Sequence, residues 1–228
     1  RSENKLLTLN AVYAIYPAHA EDDNIVIETE SATVNIPVLR QQHPSSDGFC
    51  YSLADFLSEE NDFLGAFANT VTGTEAMTQR FEAEDDLYKS ILVKTLSDRL
   101  AEATAEWLHW KVRKEFWGYA PDEALSNEDL IRENYQGIRP APGYPACPEH
   151  TEKGSIWELL DVEQAIGMQL TESYAMWPGA AVSGWYFSHP ESKYFAVAQI
   201  QPDQVEDYAQ RKGMTLVEAE RWLGPNLN

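Results

Sequence analysis

The chain has 228 residues, of which 43% are hydrophobic and 11% aromatic, with seven Trp; this is the composition of a globular protein able to bury one large core or two small ones, and it excludes a disordered chain. A formal net charge of −20 repels phosphate backbones and so disfavours nucleic acid as a partner. No apolar run approaches the roughly 20 residues of a membrane span, no signal peptide is visible, and two cysteines, Cys50 and Cys147, argue against a disulfide scaffold, so the expected location is cytoplasmic.

The N-terminal portion alternates. Leu7, Leu9, Ala11, Tyr13 and Ile15 share one parity and mark one face of a strand. Residues 18–24, carrying Asp22, Asp23 and Asn24, read as a turn, and 25–27 and 33–38 as two short strands. Residues 41–48 form a loop, and the apolar patches at 53–57 and 63–68 fit either element type. From about 75 to 117 the spacing predicts one long helix. Its apolar face is expected to be Phe81, Tyr88, Ile91, Leu92, Leu96, Leu100, Ala103, Trp107, Leu108 and Val112. Unbroken, it would measure roughly 60 Å, so a bend or break is expected, with Gly118 as its end. The basic cluster Lys111, Arg113 and Lys114 reads as a solvated helix C-terminus favoured by the dipole, against a docking spot for an acidic partner.

Between Arg139 and Lys153 four prolines, Pro140, Pro142, Pro145 and Pro148, fix the backbone, and Gly143 supplies one freely turning point. Each proline lacks an N–H but keeps a carbonyl acceptor. The segment reads as a stiff wall presenting Arg139, Tyr144 and His150, against a proline-rich linker or a PxxP ligand. Arg139 offers a planar fork for a carboxylate or phosphate, and Tyr144 a ring face for a base or cation. Cys147 and His150 have a C-x-x-H spacing without a second ligand pair to complete a zinc site. Farther on, a capping box at Ser155 predicts a helix stopping at Gly167. Residues 185–187 and 194–200 predict a hairpin about 189–193, with Tyr194, Ala196, Ala198 and Ile200 on one face. Pro202 opens a helix ending at Gly213, and a capping box at Thr215 starts a last one running to Leu223. Strands and helices fall in separate runs, so the class is α+β.

The run Glu133-Asn-Tyr-Gln-Gly-Ile-Arg-Pro-Ala-Pro-Gly-Tyr-Pro-Ala-Cys-Pro-Glu-His resembles the signature of the activation domain of cobalamin-dependent methionine synthase. Ala175-Met-Trp-Pro-Gly-Ala-Ala-Val-Ser-Gly184, Tyr194-Phe-Ala-Val-Ala-Gln-Ile200 and Gln204-Val-Glu-Asp-Tyr-Ala-Gln-Arg-Lys-Gly213 resemble the same domain. So do Lys114-Glu-Phe-Trp-Gly-Tyr-Ala-Pro121 and Asp98-Arg-Leu-Ala-Glu-Ala103. The likeness runs from about Leu6 to the C-terminus. It implies one C-shaped domain over residues 1–228, a twisted antiparallel sheet with flanking helices, lacking the family's N-terminal part and an acidic cofactor ligand within it. The start at Arg1-Ser2, without Met, accords with a processed chain or a fragment.

The resemblance places S-adenosylmethionine at Arg139, at the backbone of Ala141 and Gly143, at Tyr144, and at Tyr194 and Phe195. Glu102 and Glu133 are candidate acids for the ligand's positive groups, or solvated carboxylates. The implied role is repair: a flavodoxin-like donor reduces cob(II)alamin on the neighbouring cobalamin-binding domain, and S-adenosylmethionine remethylates it. Methyl transfer from a sulfonium needs positioning, so no catalytic residue is assigned. The turn at 176–180 reads as core packing, or as a surface against the corrin. Two other readings stand: a docking module that binds no small molecule, and a metal-dependent hydrolase using Cys147, Glu149 and His150.

Overall fold

The computed structural model describes residues 6–227. In chain order, β1 (Thr8–Glu21), β2 (Asn24–Glu28) and β3 (Thr33–Pro37) form a meander. The expected turn at 18–24 shrinks because β1 continues through it. Only Asp22 and Asp23 remain outside the strands, with Asp22 at φ 51°. Of the two undecided patches, Leu53–Phe56 is a 3-10 turn capped by Ser52, and the second lies in β4 (Asp62–Thr72).

The expected long helix is three pieces: α1 (Thr74–Ala83), α2 (Leu87–Lys111) and a π-helical turn at Val112–Phe116. The break falls at Glu84-Asp85-Asp86. Three carboxylates there oppose a helix C-terminus, Asp85 takes φ 58°, and Asp86 caps the new helix through the N–H of Lys89. Gly118, at φ 75°, follows the last turn as expected.

The predicted apolar face is largely the wrong one. Leu108 and Val112 are buried, but Tyr88, Ile91, Leu92, Leu96 and Trp107 are exposed. α2 instead buries Ser90, Val93, Ser97, Ala101, Ala105 and His109. Small residues let the helix lie close to the sheet, close enough for Asn69 Nδ2 on β4 to donate to the carbonyl of Ala101 at 2.9 Å. The basic cluster is corrected too: Arg113 is neither solvated nor a docking spot but fully buried, bound to Glu123 through Nε at 2.7 Å and Nη2 at 2.9 Å.

α3 (Asn127–Ile131) follows, capped by Ser126. A 3-10 turn at His150–Glu152 then leads into α4 (Lys153–Leu160) and α5 (Val162–Ile166). Ser155 is therefore interior to a helix rather than its cap, and its hydroxyl bonds Glu152 instead. β5 (Gln169–Leu170) pairs with β6 (Met176–Trp177), and β7 (Ala181–Tyr186) completes the main sheet. α6 (Pro202–Lys212) and α7 (Leu216–Trp222) start and stop at the predicted Pro202, Gly213 and Thr215.

The main sheet is antiparallel, in the order β3-β2-β1-β4-β7. One face packs Leu64, Ala66 and Ala68 against Ile156, Leu160 and Met168 of the α4–α5 region. On the other, Phe67 and Tyr186 pack beneath Leu108 and Val112. The expected hairpin does not form. Residues 194–200 are irregular, Ala198 has φ 59°, and Tyr194, Ala196, Ala198 and Ile200 share no strand face. The backbone of this segment bonds elsewhere, Val197 to the carbonyl of Pro145 and Ile200 to that of Asn226.

Candidate functional site

β7 takes the proline wall as its outer neighbour. Ile138 and Phe187 exchange backbone bonds of 3.0 Å, and the N–H of Trp185 donates to the Pro140 carbonyl at 2.9 Å. Proline cannot donate to a ladder, but its carbonyl can accept, so beyond Ile138 the segment stays on the edge strand through the Pro140 acceptor. Gly184 makes the approach possible: a Cβ there would stand 2.7 Å from the Pro140 oxygen and 3.0 Å from the Phe67 ring. Beyond it the wall turns back on itself, with Gly143 donating to the Cys147 carbonyl and Cys147 to that of Tyr144. Gly143 has φ 94°, and a Cβ on it would meet the His150 ring at 2.3 Å.

Between the wall, α2, β7 and the 173–176 turn lies a cavity of about 580 Å³. Arg139, Ala141, Tyr144, Tyr194, Phe195, Glu102 and Glu133 all line it. Seven of the residues singled out from sequence thus meet around one space. Gly143 does not line it and acts through the backbone turn instead. The carbonyls expected to be free are partly spent, because that of Pro140 accepts from Trp185 and that of Ala141 from Tyr144. His150, Lys153, Ser173 to Met176 and Ser183 line it too. Sequence reading gave most of these no role in the site, since they are distant in the chain and carry no motif of their own.

Arg139 is the most constrained group in the cavity. Its Nη2 lies 2.6 Å from Glu106 Oε2, while Nη1 reaches the Tyr135 hydroxyl at 2.9 Å and His109 Nδ1 at 3.2 Å. Its backbone N–H donates to the Tyr194 hydroxyl at 3.0 Å. Burial lowers the pKa of Arg139, but Tyr135, Glu106 and Tyr194 outweigh it and the net direction is up, so the side chain stays cationic. His109 is held well below its usual range, first by burial and then by Arg113 and Arg139. It is therefore a neutral acceptor at Nδ1, with Nε2 facing the Tyr119 hydroxyl at 3.3 Å. The His109 ring stacks on Tyr186, centroids 5.0 Å apart. Burial raises the phenols of Tyr135 and Tyr194, which stay protonated.

The opposite wall is different. Lys153 Nζ lies 2.6 Å from His150 Nδ1, and burial lowers the pKa of both. Phe195 packs between Tyr51 and Phe56, whereas Tyr144 keeps 63% of its surface exposed. Met176 is half-buried against the core with its sulfur 3.4 Å from the Ser183 hydroxyl, while Trp177 beside it is exposed. The metal-hydrolase arrangement is not assembled. Burial raises the Cys147 thiol, with Glu152 and Glu149 adding to it, and the Glu149 carboxylate is engaged by Thr151 and Tyr208. Among the described residues no three His, Cys, Asp or Glu side chains cluster as metal ligands. None of the described helices is long and apolar enough to cross a membrane.

Two comparisons bear on this arrangement. The family model described as vitamin B12 dependent methionine synthase, activation domain, matches residues 1–213. A crystal structure of the MetH reactivation domain bound to AdoHcy superposes with a TM-score of 0.94 at 59% sequence identity, over 98% of this chain and 72% of that one.

Proposed function

Because this chain belongs to the family of vitamin B12-dependent methionine synthase activation domains, we propose that its proline-walled cavity binds S-adenosylmethionine for remethylation of the parent enzyme's cobalamin. The observation that carries the reading is the placement of a cationic, pinned Arg139 in a largely apolar cavity that also holds two carboxylates and exposed aromatic rings. The ligand's carboxylate pairs with Arg139. Glu102 and Glu133 face its ammonium and sulfonium, and Tyr144 and Tyr194 offer ring faces to the adenine or the cation. Bound AdoHcy in the solved relative supports the same ligand class.

S-adenosylmethionine supplies a methyl group that leaves without a proton transfer. This chain's residues therefore position the donor and exclude water rather than act as acid or base. In this reading the cobalamin is carried by a neighbouring domain of the same parent chain, and a flavodoxin-like protein supplies the electron. The domain serves the 5-methyltetrahydrofolate–homocysteine methyltransferase, and by itself it does not catalyse the main reaction.

Calorimetric titration of S-adenosylmethionine and AdoHcy into the chain, with Arg139→Ala alongside, tests the reading. Saturable binding lost in a folded variant supports it. Undiminished affinity in Arg139→Ala removes that residue's role. A folded wild type that binds neither ligand favours docking without a small molecule, the reading to which the exposed row Tyr88, Ile91, Leu92 and Leu96 lends a surface.

A further inference from the structure

Arg139 projects from a loop, yet its guanidinium is fixed by α2. Glu106 and His109 stand three residues apart, one helical turn, and so point the same way. Glu106 Oε2 pairs with Nη2 at 2.6 Å. His109, neutral and fully buried, accepts one proton of Nη1, and Tyr135 accepts the other. A guanidinium has five N–H bonds. Nε–H has no protein partner among the described residues and Nη2 has Glu106 alone, and Nε and Nη2 are the two nitrogens of one edge of the fork. That edge matches a carboxylate bidentately.

We propose that Glu106, with His109, is a positioning residue that holds Arg139 so its Nε–Nη2 edge faces the carboxylate of an amino-acid-bearing ligand. The inference rests on the reading given under Proposed function. It adds a residue outside the cavity lining and a consequence for selectivity. An unpinned arginine loses more rotamer freedom on binding than one already held. Glu106 therefore favours ligands with the amino-acid moiety over nucleosides without it. Its charge acts in the opposite sense, because a second carboxylate near Arg139 repels the ligand's own. The two contributions separate experimentally, since Gln keeps an acceptor at the same place and removes the charge.

The experiment titrates AdoHcy and 5′-methylthioadenosine, which has the base, ribose and sulfur but no carboxylate, into the wild type, Glu106→Ala and Glu106→Gln. Circular dichroism and thermal melts establish that the variants are folded. Positioning predicts that Glu106→Ala weakens AdoHcy about tenfold and leaves 5′-methylthioadenosine within about twofold. Glu106→Gln retains AdoHcy affinity within about threefold of wild type. Unchanged or tighter AdoHcy binding by Glu106→Ala overturns the proposal, because charge then outweighs orientation. Equal weakening of both ligands also overturns it, by showing a general loss of cavity shape. If the wild type binds neither ligand, the reading under Proposed function fails and this inference falls with it.

Discussion

Replacing Glu123 by Ala isolates the structural support beneath the site. Arg113 has no exposed side-chain surface, and Glu123 has 6%. Glu123 satisfies Nε and Nη2, whereas Nη1 has no hydrogen-bond partner among the described residues, and the guanidinium lies 4.1 Å from the centroid of the Tyr135 ring. Removing the carboxylate strands a buried cation with no carboxylate partner among the described residues, held over an aromatic face. Breaking a buried pair in this way costs about 3–5 kcal/mol, against a net stability of about 5–15 kcal/mol for a typical domain. A second variant, Glu123→Ala with Arg113→Met, removes both charges and leaves an apolar side chain under Tyr135. It should recover at least about 2 kcal/mol of the loss, because apolar replacements of buried pairs are often neutral. Urea unfolding followed by Trp fluorescence gives both differences. A loss below about 1 kcal/mol for the single variant, or no recovery in the double, would refute the view that this pair is a dry, mutually dependent unit.

Other perturbations probe separate parts of the argument. Gly184→Ala puts a methyl group against the Pro140 carbonyl and Phe67, and overpacking of this kind costs about 1–3 kcal/mol; weaker AdoHcy binding should accompany the lower urea midpoint, since the displaced segment carries Arg139. On α2, Leu92→Ser should change stability by less than about 0.5 kcal/mol and Ala101→Leu should cost about 1–3 kcal/mol, the reverse of what the hydrophobicity of the helix suggests. His109 also predicts a pH dependence. Its folded pKa lies below the unfolded value, so the unfolded chain binds the extra proton, and the stability due to neutral His109 is present above about pH 6.5 and lost below it. Stability should therefore fall as the pH drops from 7.5 to 5.5. The His109→Asn variant should flatten the profile in that window, and an unchanged slope would assign it to other groups. Finally, Cys50 should react with a thiol reagent in the native protein while Cys147 reacts only after unfolding, as peptide mapping of the modified chain can show.

The proline wall was legible from sequence because its information is local. Pro140, Pro142, Pro145 and Pro148 restrict φ wherever they stand, and no distant contact is needed to recognise an irregular rigid segment. The starts and stops of α6 and α7 were legible for the same reason: Pro202, Gly213 and the Thr215 capping box act within one turn. The edge that the wall joins was not legible. Its pairing with β7 joins Ile138 to Phe187 and Pro140 to Trp185 across more than forty residues, and a carbonyl acceptor leaves no mark on composition. The segment 194–200 failed differently. It alternates like a strand, but Ala198 reverses its backbone at φ 59°, and its apolar residues pack on two separate parts of the core, Phe195 against Tyr51 and Phe56, Val197 with Val205 and Tyr208.

The misread face of α2 and the missed site residues have one cause. Periodicity identifies which residues share a helix face, but it does not say how closely that face approaches its neighbour. On α2 the close face is the one of Ser90, Ser97, Ala101 and Ala105, because only small side chains let Asn69 reach the Ala101 carbonyl. That same closeness brings Glu106 and His109 to Arg139 and sinks Arg113 completely. A helix packed through Leu92, Leu96 and Trp107 would stand farther from the sheet. From there Glu106 and His109 could not hold the guanidinium within 2.6 and 3.2 Å. The feature that defeats a count of hydrophobic residues is therefore the one that builds the cationic wall of the cavity. Enlarging Ala105, which lies beside Glu106 in the chain and is fully buried against the sheet, should accordingly weaken AdoHcy as well as stability.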